Sequence, residues 1–277
     1  MTALRWLLRA LLALVLLWAV LKESREPYLR LFLDDWLRPK PPPITLPLSP
    51  DGRLAVRLYA STQPHIGKVA RLQKGLVLVV DGRERIEEGF GFGLPLVVTE
   101  DGGQFLSRAA SVEQQGNVLV KRYLLDTQDT PSGFLRRKYE PVAPIGGVVV
   151  TYTVDAAAGA VDIAADFSGV QRPWRHAYVM NEQGARFFTR YQEPGFAVEG
   201  REFRKWQPTV AAEGCVVAED RSVRFCVLTE EPTHRYYGRE RYNQYYPIGV
   251  YTLSWAGVDL ELSPPQTQVR YRVLVSR

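Results

Sequence analysis

Residues that build metal centres and redox sites are scarce in this sequence. Its 277 residues include two cysteines, two methionines and three histidines, and the histidines lie far apart. This distribution argues against a histidine-rich metal centre, and no C-x-x-C or H-E-x-x-H spacing is present to build a zinc site. We therefore expect no metal and no cofactor.

Motifs of common enzyme classes are missing as well. The sequence has no G-x-S-x-G nucleophile motif and no P-loop. The stretch GFGFG, Gly89 to Gly93, lacks the spacing and the following helix of a dinucleotide-binding fingerprint. It instead indicates a bulge or a tight strand entry that requires glycine.

Neither sign of charge dominates. The 35 basic residues slightly exceed the 30 acidic ones, which gives a net charge of +5, and both signs are spread along the chain. Because no basic block or basic helix occurs, nucleic acid is not an expected partner. Mild attraction to an anionic membrane surface fits this charge better, so membrane lipid is an expected partner.

The N-terminus carries an uncharged and almost wholly aliphatic run, residues 10–21, which follows Arg5 and Arg9. If both arginines reach the head groups, nineteen residues counted from Ala3 approach the roughly 20 that a membrane span needs. A cleaved signal peptide is the alternative, but no small-residue cleavage site follows the run. We interpret residues 1–22 as an uncleaved signal anchor, a single transmembrane helix. The positive-inside rule then places the N-terminus in the cytoplasm and the remaining chain outside it.

Two short segments follow the anchor. Apolar side chains recur at helical spacing in residues 23–38, which predicts an amphipathic helix. This helix lies either on the membrane surface, with Trp36 at the interface, or against the folded domain, and the pattern leaves both open. Residues 39–50, PKPPPITLPLSP, predict a stiff proline-rich linker.

Apolar and polar residues alternate through much of residues 51–277. The stretches VVVTYTV, AVDIAADF and QVRYRVLV each place apolar side chains on one face, as half-buried strands do. Turn signals such as Asp51-Gly52 and Asp81-Gly82 recur about every ten residues. No convincing amphipathic helix follows Pro50. The predicted fold class is all-β: one domain, a large antiparallel two-sheet sandwich.

This strand pattern, which closes with LELSPPQTQVRYRVLVSR and its Pro264-Pro265 turn, resembles the galactose-mutarotase-like superfamily. The resemblance covers residues 50–277. It implies the large β-sandwich found in aldose epimerases and in domains of glycoside hydrolases and polysaccharide lyases.

The catalytic motif of those epimerases is matched only partly. His176 and Tyr178 have its spacing, but Asn181 stands one position late and Arg175 replaces the asparagine that precedes the histidine. The second catalytic histidine and the late catalytic glutamate of that motif have no match in this sequence.

The same residues lie in PWRHAYVMNEQGARFFTRYQ, residues 173–192. One interpretation is a β-hairpin whose turn is Asn181-Glu182-Gln183-Gly184. The other makes Glu182 an acid or base and His176 its partner on a concave face. Alternation predicts that Arg186 and Arg190 share one polar, partly open face that binds an anionic or polyhydroxyl group.

A tyrosine- and arginine-rich stretch, THRYYGRERYNQYYPIGVY, provides further candidate ligand-binding residues. Tyrosine rings stack flat on ligands and arginine offers a rigid donor fork. We expect Arg239 and Tyr242, with Trp255, to lie near Arg186 and Arg190. The alternative is a loop whose rings cover the edge of the sandwich.

The two cysteines are predicted to form a disulfide. GCVVAEDRSVRFCVL indicates a hairpin centred on Asp220-Arg221, which sets Cys215 opposite Cys226 as a hydrogen-bonded pair. Val216 and Phe225 then belong to the opposite, core-facing side. The extracytoplasmic location permits the bond.

Together these features predict a membrane-anchored extracytoplasmic β-sandwich with a non-catalytic binding or scaffolding role. Its expected partner is a glycan or another membrane protein. One alternative is a carbohydrate-active enzyme, epimerase- or lyase-like, that uses His176 and Glu182. Another is an accessory subunit of a membrane complex.

Overall fold

The computed structural model describes residues 2–24, 40–65, 70–130, 139–204, 206–246 and 249–277. Its first element is helix α1 (Thr2–Ser24), which contains the predicted apolar run. Leucine and alanine, both strong helix formers, dominate this segment. In the part of the chain that the structure describes, no helix combines the length and apolar character needed to cross a bilayer. The predicted amphipathic helix lies outside the described residues, apart from its first two positions.

All other regular elements are strands. The first twelve are β1 (Ile44–Pro47), β2 (Leu54–Leu58), β3 (Gln63–His65), β4 (Ala70–Leu72), β5 (Val77–Val80), β6 (Arg83–Glu84), β7 (Gly91–Thr99), β8 (Gln104–Leu106), β9 (Ala109–Gln115), β10 (Val118–Leu124), β11 (Thr127–Asp129) and β12 (Tyr139–Pro141). The remaining ones are β13 (Gly147–Asp155), β14 (Ala160–Asp166), β15 (Trp174–Gln183), β16 (Phe188–Glu193), β17 (Phe196–Glu199), β18 (Gln207–Thr209), β19 (Glu213–Ala218), β20 (Arg224–Leu228), β21 (His234–Tyr246), β22 (Gly249–Leu262) and β23 (Gln268–Ser276).

Two large antiparallel sheets form the body of the domain. One has nine strands in the order β17-β16-β19-β20-β23-β14-β13-β10-β9, and the other has eight in the order β12-β11-β8-β7-β15-β22-β21-β18. Their inward side chains form one hydrophobic core, to which β13 contributes Val148, Val150 and Tyr152. The predicted all-β, antiparallel architecture is therefore confirmed. A four-stranded sheet, β1-β2-β5-β6, and a two-stranded sheet, β3-β4, complete the described strands.

The segment predicted as a linker contains a strand, which corrects that prediction from residue 44 onward. β1 pairs antiparallel with β2, with Ile44 opposite Leu58. Ile44 and Leu46 pack against the core because they occupy alternate positions, and Leu48 is fully buried. Pro47 is tolerated because β1 lies at a sheet edge, where its missing N–H breaks no ladder.

The hairpin predicted for residues 173–192 is not formed. Asn181, Glu182 and Gln183 continue β15 instead of turning, and the chain turns only after Gly184. β15 belongs to the eight-stranded sheet and β16 to the nine-stranded sheet, so this connection crosses between the two layers. The polar run resembled a turn, but its side chains are buried, and those of Asn181 and Gln183 accept hydrogen bonds inside the protein.

The predicted disulfide is confirmed. Cys215 and Cys226 are bonded and lie directly opposite each other on β19 and β20. Val216 and Phe225 on the other side of the hairpin are fully buried, as expected. The Ala218 N–H donates to the Val223 carbonyl at 2.9 Å, so Ala218 and Val223 form a hydrogen-bonded pair. Hydrogen-bonded and non-hydrogen-bonded pairs alternate along an antiparallel ladder. The cysteine pair, three positions away, is therefore a non-hydrogen-bonded pair and not the hydrogen-bonded pair that was predicted. Its Cα atoms are accordingly close, at 3.9 Å.

Replacing both cysteines with serine should lower the free energy of unfolding by about 3 kcal/mol, because the bond closes a short loop in the unfolded chain. Urea denaturation of the double variant measures this loss. Reduced wild-type protein is the matched control and should lose a similar amount. Two free thiols in the non-reduced protein, seen by mass spectrometry, would contradict the assignment.

Candidate functional site

Polar side chains collect on the outer face of the eight-stranded sheet, the face turned away from the core. On β15 and β22, Val179 and Leu260 point inward and are fully buried. Because side chains alternate along a strand, their neighbours Tyr178 and Glu261 point outward, and these two residues are directly opposite each other. Tyr236 of the next strand, β21, faces outward in the same way, opposite Asp259.

Glu261 is the centre of this arrangement. Its Oε1 lies 2.9 Å from Nδ1 of His176, and the Tyr178 and Tyr236 hydroxyls both donate to its carboxylate. The Glu261 side chain is only 7% exposed, whereas that of His176 is 38% exposed. We refer to His176, Tyr178, Tyr236 and Glu261 as the outer-face cluster.

The cluster fixes the hydrogen-bonding roles of its members. Burial, with the hydrogen bond to Glu261, raises the pKa of Tyr178, and burial with the charge of Glu261 raises the pKa of Tyr236. Both phenols therefore keep their protons and act as donors. Since Nδ1 of His176 faces the carboxylate, the other ring nitrogen, Nε2, is the one left for a ligand.

Two further carboxyl groups lie next to the cluster and are almost completely buried. Asp259 accepts a hydrogen bond from the Asn181 N–H at 2.9 Å, and Glu182 accepts one from the Phe90 backbone. Burial raises the pKa of Glu182 well above its usual range, and the charge of Asp259 raises it further. Burial likewise raises the pKa of Asp259 to about 7. Oε2 of Glu182 has no hydrogen-bond partner among the described residues.

Lys74 supplies the nearest buried positive charge. Its Nζ donates to the Gly89 carbonyl at 2.6 Å. Burial lowers the pKa of Lys74 to about 8, although the surrounding glutamates Glu88 and Glu182 oppose that shift. The buried amine of Lys74 and the buried carboxyl group of Glu182 therefore interact electrostatically.

The GFGFG stretch has the structural role expected of it. Gly91 and Gly93 adopt positive φ angles of 82° and 78°. A Cβ atom on Gly93 would lie 2.8 Å from the Tyr152 ring, and one on Gly91 would lie 2.8 Å from the Leu76 carbonyl oxygen. Only glycine fits this close approach of β7 to its neighbours.

The structure separates Arg186 from Arg190, which corrects the prediction that they share a face. Arg186 precedes β16, and it lines a cavity of about 510 Å³ with Lys74, Glu84 and Arg241. Arg190 lines a different cavity, of about 370 Å³. A register shift between Phe188 and Arg190 breaks the alternation, and Phe188 lies in the core.

Two of the other predicted ligand-binding residues, Arg239 and Trp255, have packing roles in the structure. Arg239 is used structurally, since its guanidinium donates to the carbonyls of Ala185 and Phe188 at the crossing between the sheets. Trp255 packs against the core. The side chain of Tyr242 lies outside the described residues. His176 and Glu182 share the outer face, but the partner of His176 is Glu261.

Sequence reasoning missed two of the residues that matter here, Asp259 and Glu261, whereas Tyr236 lies in the tyrosine- and arginine-rich stretch that it did identify. A signal for the two acids was present in VDLEL, residues 258–262, where they alternate with apolar residues of a strongly apolar strand. A half-buried strand normally places such acids in water, but these two are 8% and 6% exposed.

No protein-family model matches the chain, and neither does any curated protein. Among solved structures, it is similar to 4-alpha-glucanotransferase from Thermococcus litoralis, with 10% identity, a TM-score of 0.44 and coverage of 90% of this chain and 41% of that one. It is also similar to heparan sulfate lyase HepC from Pedobacter heparinus, with 12% identity, a TM-score of 0.43 and coverage of 84% and 34%. The chain thus spans about a third to two fifths of those proteins. Both are carbohydrate-active enzymes by name, and neither is named as galactose-mutarotase-like.

The buried carboxyl groups should make stability depend on pH. The pKa of Asp259 rises from 3.8 to about 7 on folding, so the folded state binds this proton more tightly than the unfolded state. The free energy of unfolding should therefore fall as pH rises through this range. Asp259→Asn should reduce this dependence of the free energy of unfolding on pH, and adding Glu182→Gln should reduce it further. Denaturation curves measured at several pH values across the range test this.

The matched control is Asp162→Asn, because Asp162 is exposed and its pKa is lowered by Arg272. In this variant, the free energy of unfolding should decrease with rising pH as much as in the wild type. An equal fall in wild type and the Asp259→Asn, Glu182→Gln double variant would show that neither group holds its proton in the folded state.

Proposed function

We propose that the protein is a membrane-attached, extracytoplasmic β-sandwich that binds a glycan at the outer-face cluster. The observation that carries this proposal is the convergence of His176, Tyr178 and Tyr236 on one carboxylate, Glu261. A sugar presents hydroxyl groups that both donate and accept hydrogen bonds. Because the phenol protons and Nδ1 of His176 are directed at Glu261, the cluster offers acceptors, namely the imidazole Nε2 and the two phenol oxygens, to which sugar hydroxyls can donate.

The cluster is also held in place before any ligand binds. Its members lie on three adjacent strands, and the carboxylate is already hydrogen-bonded. Rigid groups lose little freedom on binding, which favours affinity. The half-buried rings of Tyr178 and Tyr236 add flat surface on which a sugar ring can stack.

A second candidate function is proton transfer at the same site. His234 lies opposite Glu261 on β21, so the outer face carries two histidines and a glutamate on three adjacent strands. A carboxylate that holds Nδ1 of His176 leaves Nε2 to act as a general base. This arrangement favours an epimerase- or lyase-like reaction as the alternative to binding alone.

Glycan binding should depend on Glu261 and His176. The purified protein is screened on a glycan array, and the affinity of any retained glycan is measured by calorimetry. Glu261→Gln and His176→Ala should each weaken binding about tenfold or more, because each removes a charged or buried hydrogen-bonding partner. Arg272→Gln, on the outer face of the other sheet, should leave binding unchanged.

Failure of the array to retain any glycan, or equal binding by the three variants, would contradict the proposal. The retained glycan also separates the two candidate functions. Conversion of that glycan by the wild type but not by His176→Ala or His234→Ala, followed by NMR, would establish catalysis. An unchanged glycan after prolonged incubation leaves binding as the function.

Membrane attachment is supported by the surface of α1. Its described large apolar side chains, within residues 4–18, are 53% to 69% exposed, and no described element covers them. Such a continuous apolar surface is stable in lipid and unfavourable in water. The Cys215–Cys226 bond supports an extracytoplasmic location, because disulfides persist in oxidising compartments.

Replacing Leu12 and Leu16 with glutamate should release the protein from membranes. Each charge placed in the middle of an inserted helix costs about 3 kcal/mol. The control replaces the same residues with isoleucine, which keeps the apolar surface. Wild type and control should stay in the membrane pellet after alkaline carbonate extraction, with the β-sandwich on the extracytoplasmic side in protease-protection assays. A soluble wild type, or a glutamate variant that stays in the pellet, would refute attachment through α1.

A further inference from the structure

A second polar cavity lies on the opposite side of the sandwich, on the outer face of the nine-stranded sheet. Its volume is about 370 Å³. Its lining consists of four arginines, one glutamine and one valine: Arg190, Arg221, Arg224, Arg277, Gln192 and Val217. We refer to it as the arginine cavity. It shares no residue with the outer-face cluster.

The strand register explains how the arginines come together. Arg190 lies opposite Val217, and Val217 lies opposite Arg224, on three adjacent strands. The two arginines are therefore about 10 Å apart at the backbone, twice the spacing of neighbouring strands. The side chain of Val217 between them is short. The two arginine side chains therefore form the sides of the cavity, and Val217 forms its apolar base.

Acidic side chains compensate these charges only in part. Nη1 of Arg277 lies 3.1 Å from Asp81, but Asp81 also accepts a hydrogen bond from Arg53 at 2.8 Å. Nη1 of Arg190 lies 3.9 Å from Glu199, whose side chain is 71% exposed. Such a long, solvated contact contributes little.

The remaining donors of the cavity have no acidic partner within the described ranges. Nε of Arg224 donates to the Ser276 hydroxyl at 3.0 Å, and Arg221 forms no ion pair there. Nε of Arg190 is buried without a hydrogen-bond acceptor among the described residues. A buried donor of a charged group is costly when it is left unsatisfied, so the cavity is short of an acceptor.

Arg221 reaches the cavity from the turn between β19 and β20. This residue adopts a φ of 56°, in the left-handed region that glycine and asparagine occupy at lower cost. Its N–H donates to the Ala218 carbonyl at 2.9 Å, which holds the turn. Arginine at this position brings a guanidinium to the cavity in spite of an unfavourable backbone.

We propose that the arginine cavity binds a sulfate or phosphate group. Guanidinium groups present planar forks of donors that match tetrahedral oxyanions, often through two parallel hydrogen bonds. An oxyanion would supply the missing acceptors and offset the repulsion among the four arginines. The volume of the cavity allows the group to belong to a larger molecule, such as a sulfated sugar or a lipid headgroup.

The test is calorimetric titration of the full chain, at low ionic strength, with inorganic phosphate, inorganic sulfate, glycerol phosphate and a sulfated monosaccharide. Arg190→Gln with Arg224→Gln should weaken binding about tenfold or more, because each change removes charge-assisted hydrogen bonds. Arg272→Gln is the matched control, since Arg272 lies on the outer face of the same sheet but is paired with Asp162. It should bind like the wild type although it also loses one positive charge.

Arg221→Gln keeps the test decisive if the double variant does not fold, because Arg221 is an exposed turn residue. It should weaken binding without lowering the melting temperature. If glycerol phosphate binds more tightly than the inorganic ions, the ligand is a lipid headgroup. If the sulfated monosaccharide binds more tightly than the inorganic ions, the ligand is a sulfated glycan. If the inorganic ions bind as tightly as the two larger probes, the ligand is a free anion. Absence of binding by all four probes, or equal loss in Arg272→Gln, would overturn the proposal.

Discussion

One buried amide, that of Asn181, connects the two sheets and positions the outer face. Its Oδ1 accepts from the Gly93 N–H at 3.1 Å and, across the sandwich, from the Tyr271 hydroxyl at 2.7 Å. Its Nδ2 donates to the Val179 carbonyl, and its backbone N–H donates to Asp259. Apolar packing between two sheets is not directional, whereas these hydrogen bonds are. They fix where β15 lies against β7, β22 and β23, and therefore where the outer-face cluster lies.

The same constraint extends through the interior as a chain of polar groups. The Tyr152 hydroxyl donates to the Gly93 carbonyl and lies 3.1 Å from the Tyr123 hydroxyl. Tyr123 and the amine of Lys121 both donate to the Lys74 carbonyl. Each of these groups would be costly if left unsatisfied in the core. The polar interior is therefore stable only when the strands have this register, which gives the sandwich a unique arrangement.

The fold was largely predictable from the sequence, and the site was not. Alternation in segments such as β13 identified the strands, and equal spacing about a turn paired Cys215 with Cys226, because both signals are local. Asn181 and Glu182 were assigned to a turn because polar residues are usually exposed. Their partners include Asp259 and Tyr271, which lie 78 and 90 residues away. Satisfaction of a buried polar group by distant strands leaves no periodic pattern in the sequence.

The position of β23 has a consequence for the order of folding. This strand, residues 268–276, lies at the middle of the nine-stranded sheet, between β20 and β14. Before it has been synthesised, β17, β16, β19 and β20 on one side and β14, β13, β10 and β9 on the other have no strand to join them. While the chain is synthesised, two sheet edges therefore stay exposed to unwanted pairing until β23, which follows the other strands of this sheet in sequence, emerges. The strand that joins the two halves of the sheet also presents Ser276 beside the arginine cavity.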